Sequence, residues 1–403
     1  METSQNERKP FGLNKNTCSS GDSVAQTRLV QLIDGGSFDS FSVLFWNVEN
    51  FFDWRNDGRT ESDAEFSPGG ERHWTWKKFQ AKANAFAKAL LWTGSETGRL
   101  PDIVGLAEVE NAFVLRQVLQ KTALRKLDYQ YVHYDSPDRR GIDVALLYRT
   151  SRLELLESKP CHLYAADTLL ATRDILLCRF RLRPSGVPER PFDVPDSSVI
   201  PGSTGNLEFA VLVNHFPSKY GGAAASEPRR RVAVERLRFL ADSLRAVGID
   251  RIIACGDFND TPDNPQFRQL EPSLVPLYSD LYRRGEGTIK YEGKWDLIDH
   301  FYVSPSLLGS SGLSADSPEP PSGSISTGSA NAADELFARN SQPFRTPAAR
   351  MRILRIPFLL TRDTAHSGEK PLRTYVGPRY AGGVSDHLPI LLEVPLATID
   401  LPP

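Results

Sequence analysis

Residues 251–265 read RIIACGDFNDTPDNP, and the abrupt change of character within this stretch organises the interpretation of the whole chain. The apolar run IIAC predicts a buried strand. Gly256 ends that run, and Asp257 and Asn259 follow almost at once. A carboxylate at the end of a buried strand loses hydration, so it requires a partner. The stretch therefore predicts a strand that ends at a polar site.

Composition places the chain among globular proteins with a substantial core. Its 403 residues are 40% hydrophobic and 24% charged, and they suffice for one large domain or two ordinary ones. The formal net charge of −2 does not predict a basic surface over the whole protein that would bind nucleic acid. A local basic face is still compatible with this net charge. The four cysteines form no CxxC pair, so we expect free thiols rather than a zinc site.

Three segments lack the periodicity of helices or strands. Residues 1–38 are polar and predict a flexible lead-in, with no apolar signal region and no bilayer-spanning stretch. This favours a cytoplasmic protein, and a trimmed export signal is the alternative. Low-complexity insertions are predicted near 184–206 and 306–345, within a single domain over 39–400. No protein partner is indicated.

From Phe41 onward, apolar strand patterns alternate with amphipathic helix patterns, which predicts sheets layered with helices. The predicted helices are WTWKKFQAKANAFAKALLW, NAFVLRQVLQKTAL and RRRVAVERLRFLADSLRAVG. The predicted strands are FSVLFWNVEN, DIVGLAEVE, DVALLYRT, DILLCRFRL, EFAVLVNHF, DRIIACGDF, DLIDHFYVS and LPILLEV.

Six of these segments carry polar side chains at a strand end. The residues are Asn47, Glu49, Glu108, Glu110, Asn214, His215, Asp257, Asn259, Asp299, Ser385, Asp386 and His387. Loops at strand ends converge in a crevice in layered α/β proteins, so we expect one shared polar site. Carboxylate and amide oxygens suit a hard cation, with Mg²⁺ favoured over Mn²⁺ or Ca²⁺. Such a set supports metal-assisted phosphoester hydrolysis.

The motifs WNVEN, LAEVEN, NHFPS, GDFND, LIDHFYVS and SDHLP follow one another in an order that resembles the endonuclease/exonuclease/phosphatase superfamily. The resemblance runs from about Phe41 to Val394. It extends to abasic-site endonucleases and pancreatic-type deoxyribonucleases, and is greatest for bacterial members of unassigned substrate. It implies a four-layered α/β sandwich of two mixed, mostly antiparallel sheets flanked by helices.

The same resemblance implies roles for individual residues. Metal-shell positions are matched by Asn47, Glu108, Asp386 and Glu49, the last standing where many relatives have aspartate. Catalytic positions are matched by His215, by Asp257 with Asn259, which position the water and the phosphate, and by an Asp299–His387 dyad. Substrate contacts are expected from Arg173, Asn214 and Lys219.

Each assignment has a structural alternative. Gly-Asp-x-Asn is also good turn chemistry, and His215 could be a hydrogen-bonded core histidine. Glu108 could cap the following helix, although Glu110 and Asn111 are better placed for that role. The run 229–231, three arginines, indicates either a contact to a phosphate backbone or a solvated helix face.

The function expected from these residues is a Mg²⁺-dependent phosphodiesterase that hydrolyses nucleic acid by in-line attack of water. A phosphoesterase acting on a small or lipid phosphoester is the alternative. Inositol-phosphatase relatives usually carry a P-A-W-x-D-R-like segment where this chain has GKWDLIDH, which counts against an inositol phosphate. A catalytically silent binding module is a third hypothesis, disfavoured because Glu108, His215 and His387 are present.

Overall fold

The computed structural model describes residues 40–58, 60–183, 207–219, 222–308 and 349–396. The predicted lead-in 1–38 and the predicted insertion near 184–206 lie outside the described residues. So does the insertion near 306–345, apart from residues 306–308. None of the described helices has the length and apolar character that crossing a bilayer requires.

The strands of the described chain are numbered in sequence order. They are β1 (Ser40–Phe51), β2 (Ile103–Val109), β3 (Tyr129–His133), β4 (Asp143–Arg149), β5 (Leu153–Cys161), β6 (Tyr164–Ala165), β7 (Thr168–Leu169), β8 (Ile175–Leu182), β9 (Glu208–His215), β10 (Ile252–Asp257), β11 (Val275–Pro276), β12 (Ile289–Tyr291), β13 (Lys294–Asp296), β14 (Asp299–Val303), β15 (Arg350–Ile353), β16 (Leu360–Arg362), β17 (Glu369–Pro371), β18 (Tyr375–Val376), β19 (Arg379–Tyr380) and β20 (Ile390–Pro395). The α-helices are α1 (Trp76–Thr97), α2 (Ala112–Lys121), α3 (Ala223–Ala246) and α4 (Ser279–Arg283).

Two six-stranded sheets form the centre of the molecule. The first has the order β15-β20-β1-β2-β4-β3 and the second the order β11-β14-β10-β9-β8-β5. Within each sheet one neighbouring pair is parallel, β1 with β2 and β9 with β10, and the other pairs are antiparallel. The predicted mixed, mostly antiparallel sheets are confirmed.

The alternation of side chains along β1 shows how the layers pack. Val43 and Phe45 belong to the core shared with the second sheet, whereas Leu44 and Trp46 pack with helix α1. This is the two-residue period of a strand buried on both faces. Trp46 stacks on Phe86 of α1 with the ring centroids 5.8 Å apart. Helix α2 shares that outer layer and α3 covers the second sheet, which gives four layers.

A glycine lies where the two sheets approach each other closely. A Cβ added at Gly105 on β2 would lie 3.2 Å from Cys255 Sγ of β10 and 3.5 Å from a methyl of Val213 on β9. The thiols of Cys178 and Cys255 are buried and free, as expected, and burial raises their pKa.

The predicted helices and strands are confirmed, and the sequence interpretation missed four strands of the two sheets, β3, β5, β11 and β15. All four lie at the edges of their sheets. An edge strand such as β5 carries charged side chains, so it lacks a continuous apolar pattern. Helix α3 begins earlier than predicted and includes Pro228. Gly248, predicted to end this helix, has a φ of 84° just beyond its last turn.

Candidate active site

Strand register alone brings three predicted site residues together. Asp257, the last residue of β10, is paired with His215 of β9 on one side and with Asp299 of β14 on the other. All three side chains are almost completely buried. The predicted convergence of these strand ends therefore follows from hydrogen-bonded pairing within the second sheet.

Asn47 joins the first sheet to this group. Its Nδ2 lies 3.0 Å from Asp257 Oδ2 and 3.4 Å from Glu108 Oε1. Its Oδ1 accepts the backbone N–H of Glu49 at 3.0 Å. In this arrangement the amide nitrogen of Asn47 donates to the two carboxylates, and its oxygen accepts one backbone N–H. Asn47 thus positions Glu108 and Asp257, and its role as a metal ligand stays a prediction.

Left-handed backbone conformations cluster around the site. Glu49, Asn50, Glu108 and Asn259 have φ values of 45°, 50°, 65° and 50°, which are costly for residues with a Cβ. The pairing of β1 with β2 is irregular at the same place. As a result the backbone N–H of Asn50 turns toward Glu108 and donates to Oε2 at 2.7 Å. The strain places a carboxylate at the mouth of the site.

Glu108 is not the residue that caps helix α2. Asn111 caps it, since Oδ1 accepts the N–H of Val114 at 3.0 Å. Glu110 accepts the backbone N–H of Asp53 at 2.6 Å. Burial raises the pKa of Glu110 to about 8. These contacts leave Glu108, with 13% of its side chain exposed, facing the site.

His387 and Asp299 form the predicted pair. His387 Nδ1 lies 2.8 Å from Asp299 Oδ2, and Nε2 lies 3.9 Å from Asp257 Oδ2. Backbone contacts fix the ring: Ser385 Oγ accepts the N–H of His387, and Trp46 Nε1 donates to its carbonyl, both at 2.9 Å. Burial opposes a charge on this imidazole, but Asp299 and the other nearby carboxylates outweigh burial and raise its pKa well above the usual range.

His215 is in a different electrostatic state. Its Nε2 lies 3.7 Å from Asp257 Oδ2, while the guanidinium of Arg173 lies against its ring, with Nη2 2.7 Å from Nε2. Burial, followed by the charges of Arg173, Arg140 and His387, holds the pKa of His215 well below its usual value. The two histidines of the site therefore favour opposite protonation states. A guanidinium only donates, so the imidazole beside it has to accept.

Asp257 carries the remaining buried charge. Its Oδ1 accepts the backbone N–H of Asn259 at 2.9 Å, so the turn reading of Gly-Asp-x-Asn is also correct. Burial, partly offset by His387, raises the pKa of Asp257 to about 7. The side chain of Asn259 donates to the carbonyl of Phe216 at 3.0 Å and thereby ties this turn to the end of β9. Full ionisation of Asp257 at neutral pH therefore needs a further positive charge nearby.

Glu49 and Asp386 share an arginine that the sequence interpretation did not single out. Arg373 Nη2 lies 3.0 Å from Glu49 Oε1 and 2.9 Å from Asp386 Oδ2. Thr374 N donates to the other oxygen of Glu49 at 2.8 Å. The buried amine of Lys82 donates to the Glu49 carbonyl and to Thr374 Oγ1. Burial and the charge of Asp386 raise the pKa of Glu49 to about 7. Two of the three predicted metal-shell carboxylates, Glu49 and Asp386, thus form ion pairs with Arg373.

The three expected substrate contacts differ in position. Asn214 is fully buried, and its amide donates to the carbonyls of Leu212 and Cys255 at 2.9 and 3.1 Å. The expectation that it binds substrate is wrong, because strand alternation puts it on the opposite face from His215. Arg173 lies in the site.

Lys219 pairs with Asp260 at 2.8 Å and stays half-exposed. The same carboxylate lies 3.2 Å from Arg230, the middle arginine of the run 229–231. Arg230 is buried, so neither interpretation of that run applies to it.

The donor chemistry of the site fits a hard divalent cation. Glu108 and Asp257 each place a carboxylate oxygen beside the same Asn47 amide, and both belong to the oxygen ligands that Mg²⁺, Mn²⁺ and Ca²⁺ prefer. Asp257, Asp299 and His387 also lie close enough together to share an ion. A second such group, His133 with Asp135 and Asp143, belongs to β3, β4 and the loop between them.

Other residues beside the site were missed by sequence reasoning. Asn50 holds Glu108 through its N–H and accepts from Arg140 Nη2 at 2.7 Å through Oδ1. Asp138 pairs with Arg173 at 3.1 Å. The WNVEN motif contains Asn50, so its polar end was a usable signal. Arg140 and Asp138 lie in a loop whose position only the folded chain defines.

The sequence of this chain matches a known family over more than half of its length. Residues 42–316 match the sequence model of the Endonuclease/Exonuclease/phosphatase family. Protein angel of Drosophila melanogaster is 25% identical over 219 residues, which are 51% of this chain and 54% of that protein. The chain therefore spans about half the length of this curated relative.

Solved structures of similar fold cover most of the chain at low identity. The human Nocturnin catalytic domain with bound sulfate has a TM-score of 0.48 and 16% identity, over 88% of this chain and 93% of that one. D. rerio TDP2 complexed with a single strand DNA product has a TM-score of 0.45 and 14% identity, over 88% and 98%. The mannosyl-6-phosphatase of Bacteroides thetaiotaomicron has a TM-score of 0.46 and 14% identity, also over 88% and 98%.

Because all three TM-scores are below 0.5, the assignment rests on the sequence match and on the confirmed sheet topology. The matched range includes the segments whose side chains meet at the ends of β1, β2, β9, β10 and β14. The chain belongs to the endonuclease/exonuclease/phosphatase family, whose enzymes are metal-dependent phosphoester hydrolases.

Proposed function

We propose that this protein is a Mg²⁺-dependent phosphodiesterase that cleaves nucleic-acid strands by in-line attack of water. The observation that carries the proposal is the pairing of two differently charged histidines around one carboxylate. His215 and His387 have Nε2 atoms 3.7 and 3.9 Å from Asp257 Oδ2, and their pKa values are shifted in opposite directions.

These opposite shifts assign separate tasks to the three groups. Asp257 is the proton acceptor for the attacking water, since burial has raised its pKa to about 7, close to working pH. His387 stays protonated through Asp299 and donates to a phosphate oxygen on which negative charge develops. His215 is neutral and, with both ring nitrogens within 3.2 Å of Arg173, holds that guanidinium in the site for a phosphate oxygen.

A divalent ion would be held by Glu108 beside Asp257, with Asn47 and Asn50 fixing the Glu108 carboxylate. When bound, such an ion neutralises phosphate charge and favours ionisation of the neighbouring carboxylate and water. Glu49 and Asp386 are proposed to act as outer carboxylates through Arg373.

The reaction is a balanced hydrolysis. The water oxygen forms a bond to phosphorus, the bond between phosphorus and the leaving oxygen breaks, and the water proton passes to Asp257. The leaving oxygen takes up a proton from solvent. Inversion at phosphorus follows from the in-line geometry of a single displacement.

Nucleic acid is favoured over a small phosphoester by the surroundings of the site. A polar cleft of about 300 Å³ adjoins it, and it is lined by the exposed guanidinium of Arg140, which has no carboxylate partner among the described residues. A cation beside the site suits a strand, in which a second phosphate neighbours the scissile linkage. The alternative substrate class, a small-molecule or lipid phosphoester, uses the same carboxylates and histidines.

A substrate panel tests the proposal. The purified protein is offered single-stranded and duplex DNA, RNA, abasic duplex, bis-p-nitrophenyl phosphate, sphingomyelin and inositol phosphates, each with Mg²⁺, Mn²⁺ or Ca²⁺. We expect EDTA-sensitive cleavage of at least one nucleic acid and of bis-p-nitrophenyl phosphate. Turnover confined to the lipid or the inositol phosphates would refute the nucleic-acid assignment. Absence of turnover on every substrate would refute the enzyme assignment.

A further inference from the structure

The cleft beside the candidate site contains a positive charge that lacks an internal counter-ion. Arg72, Arg140 and Arg373 line it together with Glu49 and Asn50 at the end of β1. Because the N–H of Asn50 donates to Glu108 at 2.7 Å, a ligand in the cleft lies next to the proposed metal ligand. The cleft and the site therefore share a wall.

Two of the three arginines are already paired with carboxylates. Arg72 Nε lies 2.7 Å from Glu65 Oε1. Arg373 bridges Glu49 and Asp386 at 3.0 and 2.9 Å. Their charges are largely neutralised within the protein, so they offer little to an incoming anion.

Arg140 differs from both. Its Nη2 donates to Asn50 Oδ1 at 2.7 Å, and within the described chain no carboxylate forms an ion pair with its guanidinium. Its side chain is exposed. Four of the five guanidinium N–H groups are thus left for a ligand, in the fork geometry that matches phosphate oxygens.

The loop that carries Arg140 is held in place from both sides. Gly141 has a φ of 68°, and a Cβ there would come within 2.1 Å of a Thr60 methyl, so this turn requires glycine. The N–H of Arg140 donates to Asp138 Oδ1 at 3.0 Å. The other oxygen of Asp138 holds Arg173 at 3.1 Å. One carboxylate therefore fixes both the Arg140 backbone and the arginine that contacts His215.

We infer that Arg140 binds the phosphate that flanks the scissile linkage of a nucleic-acid strand. This inference rests on the proposed function and adds a specificity-determining residue to it. An internal linkage of a strand always has a neighbouring phosphate, whereas bis-p-nitrophenyl phosphate has none. A small bisphosphate shares this chemistry, and the experiment separates it from a strand.

The test compares trinucleotides that have two natural linkages with trinucleotides in which one linkage, on either side in turn, is an uncharged methylphosphonate. When the methylphosphonate replaces the flanking phosphate that Arg140 contacts, kcat/KM should fall about 10- to 100-fold relative to the natural trinucleotide, because a charge-assisted hydrogen bond is lost. The wild-type protein should show this ratio for a methylphosphonate on one side of the scissile linkage and not on the other. Arg140→Gln, which removes the charge but keeps a polar amide, should bring the ratio close to one.

Arg139→Gln is the matched control, since it removes the same charge from the adjacent exposed residue. It should retain the wild-type ratio. The inference is overturned if the wild-type protein shows no preference on either side, or if Arg140→Gln keeps it.

Failure of the proposed function is distinguishable from failure of this inference. If the wild-type protein hydrolyses bis-p-nitrophenyl phosphate but no oligonucleotide, the nucleic-acid assignment fails. Equilibrium binding of inorganic pyrophosphate and of inorganic phosphate then decides the subsite. If Arg140→Gln lowers the affinity for pyrophosphate tenfold or more and the affinity for phosphate by less, the subsite binds a small bisphosphate. Equal affinities of wild type and variant for pyrophosphate overturn the second-phosphate subsite.

Discussion

The side-chain amide of Asn47 lies 3.0 Å from the carboxylate of Asp257, and this contact connects the two sheets at the candidate active site. Asn47 belongs to β1 of the first sheet and Asp257 to β10 of the second. The same nitrogen reaches Glu108 at 3.4 Å. A neutral donor between two carboxylates reduces their mutual repulsion, so the geometry of the site depends on this residue.

Replacing Asn47 with leucine should destabilise the fold as well as the site. The variant leaves a buried oxygen of Asp257 and a partly buried oxygen of Glu108 without the Asn47 donor, and we expect a loss of about 1–3 kcal/mol in the free energy of unfolding. Urea denaturation followed by fluorescence measures it. Asn84→Leu, the same exchange on the exposed face of α1, should change stability by less than about 0.5 kcal/mol. Equal effects of the two substitutions would contradict the positioning role of Asn47.

Substitution of either catalytic group should abolish turnover without unfolding the protein. His387→Ala and Asp257→Ala are each expected to lower kcat by about 10²- to 10⁴-fold, the usual contribution of acid–base groups. Circular dichroism should show a native fold in both variants. Wild-type rates in both variants would remove the basis of the mechanism.

Asp299→Asn should move the alkaline limb of the pH–rate profile to lower pH. Asp299 is the principal charge that raises the pKa of His387 against the opposing effect of burial, so its neutralisation lowers that pKa. The imidazole of His387 then loses its proton at a lower pH, and activity is lost at that lower pH too. The measurement is kcat/KM between pH 6 and 10. Asp296→Asn, on neighbouring β13, should leave the limb in place; an unshifted limb in Asp299→Asn would contradict the assigned pairing.

Glu108→Gln should weaken binding of a divalent ion much more than Glu110→Gln does. Loss of an outer partner of a metal ligand costs about 10- to 100-fold in affinity, so loss of the ligand itself should exceed 100-fold. Glu110 is a matched control because its pKa is raised to about 8, and glutamine resembles its protonated form. Isothermal titration with Mg²⁺ and Mn²⁺ gives both affinities. Similar affinities for the two variants would show that Glu108 does not hold the ion.

His300 should make the fold sensitive to acid. Its ring is buried among Phe258, Phe267, Tyr278 and Tyr302, and burial lowers its pKa to about 4. The unfolded chain binds this proton near pH 6.5 while the folded chain does not, so stability is lost as pH falls from 6.5 towards 4.

His300→Phe should remove the part of the pH dependence of stability that His300 causes. That part is about 3 kcal/mol at most, because each pKa unit between 6.5 and about 4 corresponds to about 1.36 kcal/mol. The observable is the difference between wild type and variant in free energy of unfolding, measured in urea at pH 7, 6, 5 and 4. A difference that stays constant over this range would show that His300 does not titrate on unfolding.

The strands and the chemistry of the site were predictable because both are local properties of the sequence. Apolar runs that end in Asn, Asp, Glu or His mark strand ends, and Asp257, Asp299 and His387 were identified in this way. His300, which received no role in the predicted site, is buried in an aromatic cluster, as a structural residue would be. Edge strands such as β5 and β15 were missed because side chains exposed at a sheet edge leave no apolar pattern.

What each polar residue does was decided by distances between segments far apart in the chain. Asn214 and His215 are neighbours in sequence, yet alternation along β9 buries one within the sheet and directs the other into the site. Glu49 and Asp386, which are far apart in sequence, both lie within 3.0 Å of Arg373, and no local pattern predicted that shared arginine.

The sequence by itself therefore determined the layered fold and the kinds of atoms gathered at the strand ends, since hydrophobic periodicity and side-chain chemistry are written residue by residue. Only the tertiary structure decided the charges of those atoms. A histidine beside Arg173 becomes neutral, whereas one beside Asp299 becomes cationic, because electrostatic energies depend on burial and separation in space.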